Sequence, residues 1–285
     1  LELMNKGEIP IIAGFQAIDE DNNIVTLGRG GSDTSAVAIA AAIRADRCDI
    51  YTDVDGVYTT DPRIVKNAKK LDKISYEEML EFASLGAKVL QTRSVEMAMR
   101  HGVTVQVLSS QTGKTGTFLT KEDEKMENEL VSGIAYSKDE ANVTLINILD
   151  KPGVATKIFT PLSEANINVD MIVQTGSENG NKINFTYTVS RKDLEQTISI
   201  MEKNKIDIEF ERIITNNSLA KVSIVGLGMR THTGVANKMF SALASKNINI
   251  HVISTSEIKI SVLIDEDSIE KALNSLHSTF ELDQK

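Results

Sequence analysis

The chain of 285 residues is long enough for one large or two moderate domains with sizeable cores. Its 40 acidic and 31 basic residues leave a net charge of −9, which disfavours a nucleic-acid or anionic-membrane surface but permits a local basic pocket for a small anion. The single cysteine, Cys48, excludes a disulfide framework and a cysteine-based zinc cluster. No apolar run approaches the roughly 20 residues of a membrane span and no signal peptide is visible, so we expect a cytoplasmic protein without membrane or nucleic-acid partners.

The first part of the chain alternates between strand-like and helix-like segments. Ile9–Phe15 is an apolar run typical of a buried strand. Residues 33–45 predict an alanine-rich helix that either Ser32 or Asp33 can cap. Cys48–Thr52 predicts the strand that follows this helix.

The same alternation continues towards residue 120. Ser75 and Glu78 have the spacing of a capping box at the start of a helix. A second helix is predicted through 86–101 and a strand over 103–108. Such strand–helix–strand alternation indicates an α/β layer structure. Residues 121–130 are dense in charge and lack apolar periodicity, so we predict a linker there.

The remaining half contains an internal repeat. A Gly-Val-Ala triplet at 153–155 recurs at 234–236, and an Asn-Ile-Asn pattern at 166–168 recurs at 247–249, both with an offset of 81 residues. Each unit reads strand, helix, strand, strand, helix, which is typical of the ferredoxin-like βαββαβ fold. In the two units these elements are predicted at 143–149 and 221–226, 153–165 and 234–246, 168–174 and 249–254, 183–189 and 258–264, and 191–203 and 267–278.

The two units differ in their sixth element. Ile206–Phe210 is predicted to be the last strand of the first unit, whereas the chain ends before the second unit has one. The strand-like segment Leu130–Tyr136 precedes the first unit, and we predict that it completes the sheet of the second. The first unit, 138–214, would then be inserted within a second unit made of 131–137 plus 215–285.

The segment Gly28–Ala36 combines three glycines and Arg29 between a strand-like run and a helix. A helix N-terminus exposes unpaired N–H groups and attracts anions, and glycines let the backbone approach a ligand closely. The arginine adds a planar fork suited to a carboxylate or a phosphate. These residues alone leave two interpretations open, an anion site and an ordinary turn capped by Ser32 or Asp33.

A second polar segment, Tyr51–Arg63, places carboxylates, hydroxyls and a guanidinium in a turn-rich stretch after a strand. An EF-hand is excluded because Tyr51 and Pro62 occupy positions that require oxygen ligands. The pattern favours a nucleotide loop that uses the hydroxyls and Arg63. The alternative is a polar connection built on Asp-Gly and Asp-Pro turns.

Two other motifs are rejected. Gly113-Lys114-Thr115 ends like a Walker A loop, but Leu108 stands where the first glycine is required. The four histidines have no metal-ligand spacing, and we assign no metal-ligating side chain.

The sequence resembles the aspartate kinases over essentially its whole length. The motifs that carry the resemblance are Gly28–Ala36, Tyr51–Arg63, Ser84–Leu90, Arg93–Glu96, Asp150–Gly153 and Ser254–Glu257. The resemblance implies that residues 1–120 are the C-terminal part of an amino-acid-kinase domain, an α/β sandwich. It also implies that the two repeats are ferredoxin-like ACT domains.

The implied reaction is the MgATP-dependent phosphorylation of the aspartate side-chain carboxylate to 4-phospho-aspartate, a step that opens the biosynthesis of lysine, threonine and methionine. The nucleophile is already an anion, so catalysis rests on positioning and charge neutralisation rather than on a strong base. By resemblance, Arg29 clamps a substrate carboxylate and Asp33 orients that cluster or the substrate amine. The implied substrate contacts are Arg29, Gly30, Gly31 and Ser32. The implied nucleotide contacts are Thr52, Asp53, Tyr58, Thr59, Thr60, Asp61, Pro62, Arg63 and Lys88, the last at the phosphates.

The resemblance further implies feedback by an amino acid, lysine or threonine or both, bound between ACT units, and a homodimer formed through them. The implied effector contacts are Asp150, Lys151, Pro152, Gly153, Val154, Ala155, Asn168, Val169, Asp170, Gln174, Val235, Ala236, Asn249, Ile250, Ser256 and Glu257. Thr233 stands where many relatives have proline, and Gln174-Thr175 departs from the commoner Gln-Asn pair. Which amino acid inhibits therefore stays open.

Aspartate kinases begin with a Lys-x-Gly-Gly phosphate loop and later supply a glutamate for the substrate, and neither precedes Arg29 here. The first residue is Leu1, so we expect an N-terminally truncated chain that is inactive alone. The alternative is a non-catalytic, amino-acid-binding regulatory module. A kinase of the same fold acting on another substrate is disfavoured, because paired ACT units are not expected there.

Overall fold

The computed structural model describes residues 2–86, 89–176 and 180–284. None of the helices in these ranges is long and apolar enough to cross a membrane. The elements of the first part are α1 (Glu2–Asn5), β1 (Gln16–Ile18), β2 (Ile24–Thr26), α2 (Gly31–Ile43), β3 (Cys48–Thr52), β4 (Lys73–Ser75), α3 (Tyr76–Ser84), α4 (Thr92–His101), β5 (Val105–Ser109), β6 (Thr117–Thr120) and α5 (Glu124–Glu127).

The first part forms an α/β layer around a four-stranded sheet in the order β3-β5-β6-β4. β3 and β5 are parallel neighbours, with Cys48 opposite Val105 and Thr52 opposite Ser109. Each is preceded by a helix, α2 or α4, and these two helices pack against each other. Because each helix returns along its strand, the N-termini of α2 and α4 lie at the edge where β3 and β5 end.

The prediction of a buried strand over 9–15 is wrong. The segment contains no strand, and Ile11 is 96% exposed. No described strand pairs with it, so its backbone has no ladder partner and its apolar side chains have no described sheet face to pack on.

The expected helix starts need two corrections. Gly30 caps α2 in the left-handed conformation, φ 73°, and no side chain caps it, so Ser32 and Asp33 lie inside the first turn instead. α4 begins at Thr92 rather than near 86, because Gln91 is extended with ψ 139° and cannot continue a helix. The capping box of Ser75 at the start of α3 is confirmed.

The second part forms one antiparallel sheet of six strands in the order β11-β12-β10-β7-β9-β8. Its elements are β7 (Gly133–Leu149), α6 (Val154–Glu164), β8 (Asp170–Gly176), β9 (Lys182–Val189), α7 (Leu194–Lys203), α8 (Lys205–Ile208), β10 (Arg212–Val225), α9 (Val235–Ser245), β11 (Val252–Thr255), β12 (Lys259–Asp265) and α10 (Ile269–Thr279).

Two long strands are shared between the repeat units. The first half of β7 pairs with the second half of β10, with Ile134 opposite Ile224. The second half of β7 pairs with the first half of β10, with Leu145 opposite Ile213. The predicted pairing of 131–136 with the second unit is therefore confirmed for its strand residues, 133–136. The first half of β10 is the last strand of the first unit, and the first half of β7 completes the sheet of the second unit. Each is one half of a long strand that both units share.

The predicted strand over 206–210 is wrong. These residues continue from α7 into the short helix α8, and Glu209 then turns the chain with φ 62°. Ile208 and Phe210 point into the core of the first unit, while Ile206 is exposed. The strand partner of β7 begins only at Arg212, because 206–210 are used to bring the chain back to the sheet.

A buried carboxylate ties the first part of the chain to the second unit. Glu78, 1% exposed, accepts hydrogen bonds from the Ser75 hydroxyl at 2.8 Å and from the Leu227 backbone N–H at 3.2 Å. The Ser132 hydroxyl donates to Glu78 Oε1, the oxygen that also accepts from the Leu227 N–H. One side chain thus holds the start of α3, the entry to β7 and the turn after β10 together.

We expect Glu78→Ala to lower the free energy of unfolding by about 2–4 kcal/mol, because three buried donors lose their acceptor. Chemical denaturation of the purified chain measures this change. The matched control is Glu96→Ala, an exposed position on α4, which should change it by less than about 0.5 kcal/mol. Equal stability of the two variants would contradict this role of Glu78.

Candidate substrate, nucleotide and effector sites

The loop between β2 and α2 is positioned by contacts with Gln91 and Arg93 at the start of α4. Gly30 has φ 73°, and a Cβ at this position would lie 1.7 Å from Gln91 Cγ, so only glycine fits. Arg93 Nη2 donates to the Leu27 carbonyl at 2.9 Å. The start of α4 therefore fixes the path of the backbone on either side of Arg29.

The end of α2 has the features of an anion site. No side chain caps the helix, so its first turn presents the positive end of the helix dipole, with the Gly31 N–H alone taken up by the Gly28 carbonyl at 2.9 Å. Arg29 is exposed, and no described residue pairs with its guanidinium. Half-burial raises the pKa of Asp33 above its ordinary value, against a smaller opposite effect of the Ser32 hydrogen bond. This arrangement suits a small carboxylate, with Asp33 beside it.

The first half of the polar segment follows β3 at the same edge. The Thr52 carbonyl accepts from the Ser110 backbone N–H at 2.9 Å, and its hydroxyl lies 3.2 Å from Asp53 Oδ1. Tyr58 donates its hydroxyl to Asp55 at 2.9 Å, and burial together with this contact raises the pKa of Tyr58. Ligands of α/β sheets characteristically bind at the carboxyl ends of parallel strands.

The second half of the segment separates into buried and exposed side chains. Thr59 and Thr60 are 0% and 3% exposed, so their side chains face the core. Pro62 and Arg63 are exposed. The Arg63 guanidinium donates a hydrogen bond from Nη2 to Asp61 Oδ2 at 2.8 Å. This hydrogen bond is the main reason that the pKa of Asp61 lies below its usual range. The groups open to a ligand are therefore those of Thr52, Asp53, Pro62 and Arg63, and Lys88 lies outside the described residues.

These residues fit a magnesium nucleotide. Mg²⁺ is commonly bound by one or two carboxylates together with substrate phosphates rather than by a complete protein cage. Asp53 offers such an oxygen on the exposed turn, while no trio of His, Cys, Asp or Glu side chains forms a cage anywhere in the described ranges. The exposed Arg63, paired with Asp61, supplies positive charge in the same segment.

The repeat units enclose two cavities. The larger, about 420 Å³, lies where the two units meet the end of α3 and gathers the predicted residues Asn168, Val169 and Asp170. The smaller, about 200 Å³, lies within the second unit and gathers Val235, Ala236, Ser256 and Glu257. The other predicted effector residues line neither cavity; they are Asp150, Lys151, Pro152, Gly153, Val154, Ala155, Gln174, Asn249 and Ile250.

The wall of the larger cavity contains an ion cluster that the sequence analysis missed. Lys221 Nζ, on β10 of the second unit, lies 2.7 Å from Glu140 Oε1 and 2.7 Å from Asp170 Oδ2. Burial alone would raise the pKa of Asp170, but the hydrogen bond and charge of Lys221 outweigh it and lower the pKa. A lysine between apolar residues of a strand was the available sequence signal, since a buried cation requires a partner.

Three family models match the chain. Residues 1–109 match the amino acid kinase family, and residues 143–205 and 222–280 each match an ACT domain. The chain thus belongs to the class of proteins in which a segment of the amino acid kinase family is joined to two ACT domains.

Similarity to individual proteins identifies the family within this class. The chain is 54% identical over 278 residues to the aspartate kinase Ask_LysC of Stutzerimonas stutzeri, covering 97% of this chain and 67% of that protein. Its structure resembles the aspartate kinase of Clostridium acetobutylicum, with a TM-score of 0.84, 29% identity, and coverage of 94% and 62% of the two chains. It also resembles E. coli aspartokinase III in complex with aspartate and ADP, with a TM-score of 0.77, 32% identity, and coverage of 93% and 59%. The chain belongs to the aspartate kinase family, and it spans about two thirds of the length of these relatives.

We expect Lys221→Met to destabilise the chain by about 3 kcal/mol at neutral pH, because it leaves the buried Glu140 carboxylate without its cation. It should also raise the pKa of Asp170, since burial then acts with less opposition. In the unaltered chain the folded pKa lies below the unfolded value of 3.8, so this stabilisation is present above pH 3.8 and disappears as the pH falls through the lowered folded value.

Carboxyl-carbon NMR titration of Asp170 measures the pKa, and chemical denaturation measures the stability. Lys192→Met, at an exposed position, is the control and should leave both unchanged. An Asp170 pKa that is the same with and without Lys221 would rule out the assigned cause.

Proposed function

We propose that this chain provides the aspartate site, nucleotide segment and regulatory units of an aspartate kinase, which transfers a phosphoryl group from MgATP to the side-chain carboxylate of L-aspartate. The product is 4-phospho-L-aspartate. The observation that carries this proposal is the N-terminus of α2 beside Arg29, without a side-chain cap, at the same sheet edge as the exposed Asp53, which directly follows β3. The aspartate and ADP named for E. coli aspartokinase III support the two ligand classes.

In this proposal the substrate carboxylate binds at the end of α2. The backbone N–H of Ser32 and the fork of Arg29 stabilise its negative charge. Gly31 contributes by its close backbone approach, since its own N–H donates to the Gly28 carbonyl at 2.9 Å. Gly30 leaves room for the Gln91 side chain, and Asp33 faces the substrate ammonium group. Because the nucleophile is already ionised, these groups contribute orientation rather than proton abstraction.

The nucleotide lies along the turn from Thr52 to Arg63, with Mg²⁺ held by its phosphates and by Asp53. The ion supplies neutralisation of charge on the transferred phosphoryl group. Arg63 supplies further positive charge, as does Lys88, the phosphate contact that the family resemblance implies. Tyr58 and Asp61 shape the turn through their own hydrogen bonds. Thr59 and Thr60 contribute to it as buried anchors, by their backbone.

An amino-acid effector binds at the ACT units, in the cavities that contain Asp170 and Ala236. E. coli aspartokinase III, 31% identical and with a TM-score of 0.73, is known in complex with lysine and aspartate, which supports an amino-acid effector here. Inhibition requires that the effector bind one conformation more tightly than another. The domain boundaries 1–120, 121–130, 138–214, and 131–137 with 215–285 belong to the same proposal.

We also propose a homodimer formed through the ACT units. The outer strands of the sheet, β8 and β11, expose backbone edges together with the apolar side chains of Ile172 and Ile253. Sedimentation equilibrium measures the mass; a monomer at micromolar concentration would count against this assembly.

A second candidate function is a non-catalytic module that binds a regulatory amino acid. It is favoured by the two cavities in the repeat units, which do not depend on the kinase segment for most of their walls. Calorimetric titration with lysine and with threonine, beside an assay of aspartate-dependent ADP release, separates the two functions. Turnover supports the kinase, whereas effector binding without aspartate or nucleotide binding supports the module.

We expect Arg29→Ala to weaken aspartate binding to the chain about 30- to 100-fold, because a bidentate, charge-assisted contact is worth about 2–3 kcal/mol. Arg29→Lys retains the charge but not the planar fork, and should recover only part of the affinity. Calorimetry with L-aspartate measures both. The control is Arg100→Ala at the far end of α4, and equal affinity in all variants would remove Arg29 from the site.

A further inference from the structure

The nucleotide segment is anchored to the second ACT unit rather than to the kinase sheet alone. Val65, which follows the segment, is 1% exposed and belongs to the apolar core of the second unit, with Met239 and Leu273. Ile64 and Ala68 pack against the same core. The backbone N–H of Ile134, on β7, donates to the Thr59 carbonyl at 2.7 Å. Any displacement of the second unit therefore acts directly on residues 59–68.

Thr59 is the residue most completely held. Its N–H donates to the Lys69 carbonyl at 2.8 Å, and its Oγ1 accepts from the Lys69 N–H at 3.0 Å. The same Oγ1 lies 2.9 Å from His277 Nε2. Gly133 packs so close that a Cβ there would lie 2.5 Å from the Thr59 carbonyl oxygen. The hydroxyl and both backbone groups of Thr59 are thus fixed from three directions.

His277 reaches Thr59 from α10, the last helix of the second unit, and is fully buried. Burial lowers the pKa of His277, against a smaller opposite effect of Asp283, so the ring is neutral at pH 7. His277 Nε2 and the Thr59 hydroxyl share one hydrogen bond, which forms with either group as the donor, depending on the tautomer of the ring. Nδ1 is buried without a partner among the described residues, so this contact with Thr59 is the hydrogen bond of the ring.

Two weaker contacts flank this one. The Tyr136 hydroxyl donates to Asp61 Oδ2 at 3.2 Å, and Asn67 Nδ2 donates to Asp283 Oδ2 at 3.3 Å. Asp61 in turn orients the exposed Arg63. Hydrogen bonds therefore lead from Tyr136 of β7 through Asp61 to Arg63, while His277 of α10 reaches the same segment at Thr59.

We propose that His277 is a positioning residue which, through Thr59, holds the nucleotide segment in its binding conformation, so that the second ACT unit sets the affinity for nucleotide. This inference rests on the proposed nucleotide role of the segment. It gives the second unit a direct influence on the kinase site by way of α10, without requiring the larger cavity.

The test uses the 285-residue chain and two substitutions of His277. In His277→Gln the side-chain amide reaches the place of Nε2 and can still bond to Thr59, whereas His277→Leu has similar bulk and no polar atom. Calorimetry measures the affinity for MgADP, and amide hydrogen exchange followed by mass spectrometry measures the protection of residues 57–63. His251→Leu, in the same unit but paired with Asp265 away from the segment, is the matched control.

We expect His277→Leu to bind MgADP about fivefold more weakly and to lose exchange protection at 57–63, as fits the loss of one hydrogen bond. His277→Gln should restore both, and His251→Leu should change neither. Thr59→Val removes the same bond from the other side and should reproduce the effect, and the double variant should be no weaker than the weaker single one. If His277→Leu fails to fold, the MgADP titration and the hydrogen-exchange measurement are made on Thr59→Val instead.

Equal MgADP affinity in wild type, His277→Leu and Thr59→Val would overturn the inference and leave the proposed function standing. Failure of glutamine to restore what leucine loses would also overturn it, because the effect would then be one of packing. Absence of MgADP binding to the wild-type chain would instead refute the nucleotide assignment itself, and the inference with it. The two failures are therefore distinguishable in the first titration.

Discussion

The antiparallel pairing of β7 with β10 carries both regulatory units, because each of these strands is long enough to serve two four-stranded layers in succession. β7 has 17 residues and β10 has 14, and they stay paired with each other on both sides of the register shifts around Leu219. The first unit closes its sheet with consecutive residues, whereas the second unit needs the first half of β7, which precedes the first unit in the chain. The two units are consequently one continuous body of six strands, in which a movement of one unit displaces backbone that the other needs for its hydrogen bonds.

The kinase segment depends on the same body. Glu78 connects α3 to the entry of β7, Lys259 pairs with Glu81 of α3 at 2.7 Å, and Thr59 bonds to β7 and α10. All three contacts reach the second unit, whereas the ion cluster of Lys221 connects that unit to the first. The second unit therefore contacts both the proposed effector residues around Asp170 and the proposed nucleotide segment. A regulated kinase needs such a mechanical connection, because binding at one site must favour one arrangement at another.

The candidate substrate site is built mainly from backbone, with few side chains. The glycines place α2 without a side-chain cap, Gln91 and Arg93 fix the loop around them, and Arg29 remains unpaired among the described residues. Leaving a helix end uncapped costs stability, and a site that must accept a charged ligand is where such a cost is expected. The proposed nucleotide segment differs, since Thr59 and Thr60 are buried in the core while Thr52, Asp53, Pro62 and Arg63 remain open to a ligand.

The sequence by itself determined the local elements and the family: the alanine-rich α2, the strand at Cys48–Thr52, the capping box at Ser75 and the repeat with its ferredoxin-like order all follow from periodicity, propensity and turn chemistry within short windows. It even indicated that the segment before the first unit completes the second. Tertiary structure alone decided that 9–15 is exposed, that 206–210 turns back as a helix, and that Thr59 bonds to His277 while Lys221 bonds to Glu140 and Asp170. The physical reason is that a strand needs a neighbouring strand for its backbone hydrogen bonds, and a buried polar group needs a hydrogen-bond or charge partner. Residues far away in the chain supply both, so a short sequence window does not reveal them.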